Sequence, residues 1–234
     1  MSRAREPQPE TELVGFADVP PDIIAYCRRL GRQMSVERGA ALTRQGDAAR
    51  HCYYVCTGYA RVRSTSPSGG EVLVGFAGPS NLIGHSAAAE WGDRYLTSTT
   101  ASEPMVLISW TRTAALEIGR RFPRLHARLD ALLAQCLQLV LNRLHTTSGG
   151  RGPQRLAAVL LELAKRHGQP DPDGHGIMIR PTVTREDLAS LTGMSLFTAS
   201  RALSGWEAHG VIASRRGRMR LIDLTRLRAI ARAS

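Results

Sequence analysis

The sequence predicts an α+β protein, and three observations support this fold class. Short apolar runs separated by glycine and polar turns fill the N-terminal half, which is typical of a β-barrel or roll. A long stretch with helical apolar periodicity follows. The C-terminal part combines two short helices with an arginine-rich hairpin. We therefore expect a β-rich domain over residues 14–122, one long helix over 123–147 and a winged helix-turn-helix over 153–234.

The charge of the chain is unevenly distributed. The formal net charge is +11. Residues 1–150 contain 17 arginines and 13 acidic residues, whereas residues 151–234 contain 14 basic and 7 acidic residues. A basic excess concentrated in the smaller C-terminal part is expected if that part binds a polyanion such as nucleic acid. The alternative is the arginine bias of a GC-rich genome, because Lys165 is the only lysine.

The sequence argues against several protein classes. No apolar run approaches the roughly 18 residues that a membrane-spanning helix needs. Residues 1–10 are polar and include two prolines, unlike a secretion signal. Walker A, GxSxG, HExxH and Rossmann motifs are absent, so we do not expect an enzyme. We expect a cytoplasmic protein without membrane contact. The four cysteines form no CxxC motif, and a redox or metal role for Cys52 and Cys56 stays open.

The strand prediction for the first domain rests on runs of three or four residues. Residues 53–56, 59–62 and 72–74 are the clearest of these runs. A Thr-Gly pair separates the first two, and a Ser-Pro-Ser-Gly-Gly segment precedes the third. Such a glycine- and proline-containing segment between apolar runs predicts a hairpin turn.

The long helix carries an apolar seam with alternating steps of four and three residues. The residues of this predicted dimerisation seam are Leu125, Leu129, Leu132, Cys136 and Leu139. From residue 124 to residue 145 the helix would be about 33 Å long. Since the chain offers the seam no second helix of this kind, we expect a homodimer. Packing of the seam against its own barrel is the alternative. The glycine-rich residues 148–153 then predict a break between the two domains.

Residues 184–222 show the signals of a winged helix-turn-helix. Thr184 can cap a first helix, Gly193 interrupts the pattern, and Ser195 can cap a second helix that extends to about residue 208. Two short apolar runs then flank an arginine-rich tip, as a β-hairpin wing would. These features predict binding to double-stranded DNA with the second helix in the major groove.

The predicted DNA contacts divide into two groups. Arg201 can donate two hydrogen bonds to guanine O6 and N7, whereas the wing arginines can contact phosphates. The recognition-helix candidates are Ser195, Leu196, Phe197, Thr198, Ser200 and Arg201. The wing candidates are Arg215, Arg216 and Arg218.

Five motifs together resemble the Crp/Fnr superfamily of bacterial transcription regulators. They lie at residues 38–47, 53–58, 81–84, 184–189 and 198–201. The resemblance implies a cyclic-nucleotide-binding-type β jelly roll, a long dimerisation helix and a winged helix-turn-helix acting as a homodimer on a palindromic operator. It also implies contact with RNA polymerase, for which the loop over residues 166–176 is a candidate.

The resemblance to this family also implies an effector site in the roll. Its candidate residues are Gly84, His85, Ser86, Arg94 and Tyr95. Members that bind cyclic AMP carry Gly-Glu and Arg-Ser at the two corresponding places. Here these places hold Gly84-His85 and Arg94-Tyr95, which argues against cyclic AMP. Members with an iron–sulfur cluster carry an N-terminal cysteine cluster, whereas this chain has only Cys27 in that region, which argues against such a cluster.

The identity of the effector therefore stays open. The stretch around His85 resembles the one that supplies a haem-ligating histidine in the carbon-monoxide-sensing member, so His85 is a candidate haem ligand and haem a candidate cofactor. The alternatives are an unidentified small molecule, a histidine that hydrogen-bonds a loop carbonyl, and a regulator without any effector. A ligand-binding module that acts on another protein is a further alternative, against which the winged helix-turn-helix argues.

The recognition helix also differs from the family pattern. Many members carry a glutamate where this chain has Phe197. Phenylalanine cannot accept a hydrogen bond from cytosine, but it can pack against a thymine methyl group. Residues 196–201 resemble most closely the nitric-oxide-responsive regulators of denitrification.

Overall fold

The computed structural model describes residues 19–148, 150–171, 174, 176–215 and 217–233. It confirms the predicted α+β class and the order of its parts. A β-roll is followed by a long helix and then by a helical domain with a small sheet. No helix in these ranges is both long and apolar enough to cross a membrane.

The β-roll consists of two four-stranded antiparallel sheets. It begins with α1 (Pro21–Leu30) and contains β1 (Arg32–Val36), β2 (Ala41–Thr43), β3 (His51–Thr57), β4 (Ala60–Thr65), β5 (Glu71–Ala77), β6 (Leu82–Ile83), a 3-10 turn (His85–Ala88), β7 (Ser98–Ala101) and β8 (Met105–Thr111). One sheet has the order β1-β8-β3-β6 and the other β2-β7-β4-β5. Their facing side chains form the core, in which Val55 and Leu107 are fully buried.

Two helices connect the roll to the C-terminal domain. They are α2 (Arg112–Arg121) and the 26-residue α3 (Pro123–Ser148), which is about 39 Å long. Thr111 caps α2 by accepting a hydrogen bond from the backbone N–H of Ala114. Pro123 stands at the first position of α3, where a missing N–H costs nothing.

The structure corrects the predicted dimerisation seam at Leu125. This side chain is only 7% exposed, because the first turns of α3 pack on the roll and on α2. Leu129 and Leu132 are half-buried, Cys136 is exposed, and the side chain of Leu139 lies outside the described residues. Among the side chains of α3 that the structure describes, the exposed large apolar ones are Leu137, Val140 and Leu141. In the first part of α3, the apolar seam therefore packs on its own β-roll, which was the alternative to dimerisation.

The C-terminal domain has one apolar core. Its elements are α4 (Gly152–His167), β9 (Gly168–Pro170), β10 (Ile177–Ile179), α5 (Arg185–Thr192), α6 (Leu196–Ala208), β11 (Ile212–Arg215), β12 (Arg218–Leu221) and α7 (Leu224–Arg232). The sheet order is β11-β12-β10-β9. Leu160 of α4, Leu188 of α5 and Leu203 of α6 are completely buried in this core.

Local signals determine where α5 and α6 begin and end. Thr184 caps α5 by accepting a hydrogen bond from the Asp187 N–H, and the Thr184 N–H in turn donates to the Asp187 carboxylate. This reciprocal arrangement satisfies N–H groups that the first turn of a helix leaves free. Gly193 ends α5 in the left-handed conformation with φ of 65°, and Ser195 caps α6. The two helices and their turn therefore lie where the sequence predicted them.

Candidate DNA-binding surface and effector cavity

The face of α6 that points away from the core carries the predicted recognition side chains. Ala199 and Leu203 face the core and are fully buried. On the other face Phe197 is 73% exposed, and the guanidinium carbon of Arg201, one helical turn further on, lies 5.8 Å from the centre of its ring. An exposed phenylalanine beside an exposed arginine can offer apolar contact and bidentate hydrogen bonds to adjacent base edges.

The remaining predicted DNA contacts surround this pair. Ser195 and Leu196 are exposed at the start of α6, whereas Thr198 and Ser200 are half-buried. The hydroxyls of Ser195 and Thr198 lie 2.8 Å apart. In the wing, the side chains of Arg215 and Arg218 are exposed at the two ends of the β11–β12 turn; Arg216 lies outside the described residues.

A residue that the sequence analysis missed fixes α6 in place. Arg185, the first residue of α5, donates hydrogen bonds to the backbone oxygen of Ser200 at 3.1 Å and to Ser204 Oγ at 2.9 Å. It also forms an ion pair with Glu207 at 2.9 Å. One guanidinium thus contacts three successive turns of the recognition helix. In the sequence, Arg185 is only one residue of a predicted helix start. No local pattern indicates that it contacts the following helix.

A cavity of about 390 Å³ lies between the roll and α3, and we call it the effector cavity. Four of the five predicted effector residues line it. They are Gly84, His85, Ser86 and Tyr95. Strands β4 and β5 supply Val62, Val74 and Phe76, and α3 supplies several apolar side chains.

Close packing explains two of these residues. Gly84 has φ of 74°, and a Cβ there would lie 2.8 Å from the backbone oxygen of His51 and 3.0 Å from the Tyr95 ring. The Tyr95 hydroxyl donates to that same His51 oxygen at 2.8 Å and accepts from the His51 N–H at 3.0 Å. This pair of hydrogen bonds holds the start of β3 against Tyr95 in the cavity wall.

His85 is neutral over the physiological range. Burial lowers the pKa of its imidazole to about 4. It also lines a neighbouring cavity of about 400 Å³ together with His126 and Trp91. A neutral imidazole is the form that ligates haem iron, so His85 could hold the iron of a haem as one of its ligands. No group of three or more histidine, cysteine or acidic side chains within the described ranges could hold a bare metal ion.

Arg94 departs from the prediction. Its guanidinium donates to the backbone oxygen of Gly46 at 2.7 Å, and its backbone bridges to Ala48. The side chain is held along the turn that follows β2 and is not among the residues that line the effector cavity. Arg94 therefore lies outside the effector cavity, although the resemblance placed it among the candidate effector residues.

The hairpin of β4 and β5 links the effector cavity to the DNA-binding domain. Arg61 of β4 forms two hydrogen bonds with the Asp187 carboxylate, at 2.8 and 2.7 Å, and a third with the backbone oxygen of Thr182 at 3.0 Å. The N–H of Leu73 donates to Ser190 Oγ at 2.8 Å. The Leu73 and Phe76 side chains join the core of the C-terminal domain. We call these contacts the interdomain clasp.

The ion pair of the clasp is buried. The side chains of Arg61 and Asp187 are 13% and 4% exposed. Burial opposes ionisation of the Asp187 carboxyl, but hydrogen bonds from Arg61 and Thr184 outweigh it and lower the pKa of this group. The sequence alone does not indicate this ion pair, because the two residues lie 126 positions apart.

Comparison with known proteins gives matches for both domains. A model of the cyclic nucleotide-binding domain matches residues 33–121, and a model of the Crp-like helix-turn-helix domain matches residues 154–230. The chain is 27% identical over 197 residues to a CRP-like cAMP-activated global transcriptional regulator of Mycobacterium tuberculosis, with coverage of 84% of this chain and 87% of the relative. It is 29% identical over 216 residues to the cyclic AMP receptor protein of Thermus thermophilus, with coverage of 92% and 95%.

The fold is also found among solved structures. The structure of FixK2 from Bradyrhizobium japonicum matches with a TM-score of 0.74 at 20% identity, covering 87% of this chain and 98% of that one. The curated relatives are transcriptional regulators and not enzymes, as the sequence predicted. The resemblance to nitric-oxide-responsive regulators stays a prediction. The two family models together match more than half of the chain, which belongs to the Crp/Fnr family of DNA-binding transcription regulators.

Proposed function

We propose that this regulator acts as a homodimer on a palindromic operator, with one α6 in each half-site, and that a ligand in the effector cavity controls it. The observation that supports the reading of bases is the exposed pair of Phe197 and Arg201 on a helix whose other face is buried. Two recognition helices of such a dimer would lie about 34 Å apart, one turn of DNA. Action on chromosomal DNA would agree with the predicted cytoplasmic location.

Selection of operators from random double-stranded DNA, followed by gel shift, tests this function. We expect the Arg201→Ala variant to lose about 1–3 kcal/mol of discrimination at one guanine in each half-site while nonspecific binding stays nearly the same. Arg38→Ala, a change at an exposed arginine of the roll, is the matched control. Unchanged operator preference in the Arg201 variant would refute the assignment of α6.

The proposed dimer uses the exposed apolar side of α3. Leu137, Val140 and Leu141 are 60%, 41% and 40% exposed, an arrangement that a second copy of the helix would cover. The Leu141→Asp variant, at the residue of this surface that does not line the effector cavity, should be monomeric in light scattering. Leu96→Asp, at a leucine of the roll that is 63% exposed, should remain a dimer. If both variants remained dimers, this surface could not be the dimer interface.

Two further proposals concern haem and RNA polymerase. Haem at His85 is supported by the neutral imidazole between two cavities. A saturable Soret band that changes in His85→Ala would support it, and additive absorbance of free haemin would exclude it. Contact with RNA polymerase through residues 166–176 is supported by family analogy alone. The structure shows that this segment, predicted as a loop, begins with the end of α4 and with β9, and three of its residues lie outside the described ranges.

A further inference from the structure

The two walls of the effector cavity are apolar. From α3 the cavity is lined by Leu132, Leu133, Cys136, Leu137 and Val140. The opposite wall is formed by aliphatic and aromatic side chains of β4, β5 and β6. A ligand that fills this space exchanges water for hydrocarbon over most of its surface, so its body has to be apolar.

The polar groups that the roll contributes to the cavity are neutral, and several are already engaged. Asn81 Oδ1 accepts a hydrogen bond from the N–H of Gly78 at 2.9 Å, and Thr43 Oγ1 donates to the backbone oxygen of Thr97 at 3.0 Å. The Tyr95 hydroxyl is held by the backbone of His51. The described residues of the roll that line the cavity therefore offer a ligand no positive charge with which an anionic group could pair.

The charge in the cavity comes from the other domain. Among the described residues that line the cavity, Arg166 alone carries a charge. It lies near the end of α4 and lines the cavity together with Cys136 of the α3 wall. An anionic group bound here would lie at the junction of α3 and α4 and not against the roll.

We propose that the effector is an apolar monocarboxylic acid, whose hydrocarbon or aryl body lies between the roll and α3 and whose carboxylate pairs with Arg166. This inference rests on the proposed control of the regulator by a ligand in this cavity. A planar guanidinium can bind a carboxylate through two parallel hydrogen bonds. Because Arg166 belongs to the first helix of the DNA-binding domain, such a ligand would connect the two domains directly, on a different element from the interdomain clasp.

The inference is tested with decanoate and 4-phenylbutyrate as probes, and with decanol and cyclic AMP as comparison compounds. Binding is measured by calorimetry and by the fluorescence of Trp91, which lines the cavity. We expect saturable binding of one acid per chain and at least tenfold weaker binding of decanol. The acids should bind Arg166→Gln roughly 10- to 100-fold more weakly, as expected for loss of a charge-assisted hydrogen bond. Lys165→Gln removes the neighbouring exposed cation and should bind like the parent protein.

Other outcomes would overturn the inference. Equal binding of decanol and decanoate, or unchanged binding by Arg166→Gln, would show that the carboxylate is not recognised by Arg166. Binding that is instead lost in Ala115→Trp would place the acid in a separate apolar cavity of about 430 Å³ beside Cys27 and Trp110. If cyclic AMP bound saturably and the acids did not, the cavity would be a nucleotide-binding site and the inference would be wrong.

The same protein samples distinguish this inference from the proposed function. Operator selection is carried out with and without the acids. If an operator is selected but no acid binds, the ligand assignment alone is wrong. If no operator is selected under either condition, the proposed function fails, whatever binds in the cavity.

Discussion

Breaking the interdomain clasp should loosen the DNA-binding domain from the roll. The Arg61→Ala variant removes three hydrogen bonds and leaves the Asp187 carboxylate, 4% exposed, without its guanidinium partner. Removing one member of a buried ion pair costs about 3–5 kcal/mol. Because Asp187 keeps the hydrogen bond from the Thr184 N–H, we expect a smaller loss, about 2–3 kcal/mol.

This loss can be measured as stability and as domain coupling. For a chain of this size it corresponds to a fall in melting temperature of about 4–12 °C. Hydrogen exchange of α5 and proteolysis between α3 and α4 should both become faster. The matched control is Arg63→Ala on the same strand, whose 3.6 Å ion pair with the half-exposed Glu71 is worth about 0–1 kcal/mol. Equal effects of the two variants on stability, or no effect of Arg61→Ala, would refute the stabilising role of the interdomain clasp.

The pH dependence of the clasp follows from the direction of the pKa shift. The folded-state pKa of Asp187 is lowered, so the carboxylate stabilises the fold above the ordinary pKa of an aspartic acid, about 4. This contribution is lost as the pH falls through the folded-state pKa. Between pH 5 and 8 the difference in stability between the parent protein and Asp187→Asn should therefore stay constant, and it should shrink under more acidic conditions.

Three shorter predictions concern the two sites. Arg185→Ala should weaken operator binding in gel shifts more than Glu207→Gln does, because only the former frees α6 from its contacts with the backbone and Ser204; equal effects would contradict this. Gly84→Ala should lower the melting temperature, since its Cβ would lie 2.8 Å from a backbone oxygen at φ of 74°, whereas Gly69→Ala, which meets nothing within 4 Å, isolates the effect of φ alone. Ligand binding near His85 should not vary between pH 5.5 and 8, because an imidazole with a pKa of about 4 stays neutral there; a transition near pH 6.5 that disappears in His85→Ala would show that it titrates.

The parts of the structure that the sequence predicted are those determined by neighbours in the chain. The caps at Thr184 and Ser195 and the turn at Gly193 act over three or four residues, so the positions of α5 and α6 followed from the sequence. The apolar seam of α3 was visible as a period, but a period does not say which surface covers it. Leu125 is therefore buried against its own domain, although it continues the spacing of the seam.

The contacts between domains could not be predicted in the same way. Arg61 and Asp187 lie 126 residues apart, and Leu73 and Ser190 lie 117 residues apart. Each looks ordinary in its own segment: a charged residue on a strand, an acid in a helical first turn, a polar residue near a helix end. Their pairing depends on how the β4–β5 hairpin meets α5, which only the folded chain determines. The same holds for Arg166, whose place in the effector cavity results from the position of α4.

The position of the β4–β5 hairpin gives a physical route from ligand to DNA. Phe76 lines the effector cavity and also belongs to the core of the DNA-binding domain, and Arg61 holds the first turn of α5. A ligand that moves the hairpin must therefore either carry α5 with it or break the clasp. It changes operator affinity only if its own affinity differs between these two arrangements. A tenfold change in operator affinity then requires a tenfold difference in ligand affinity, and Arg61→Ala should reduce both by the same factor.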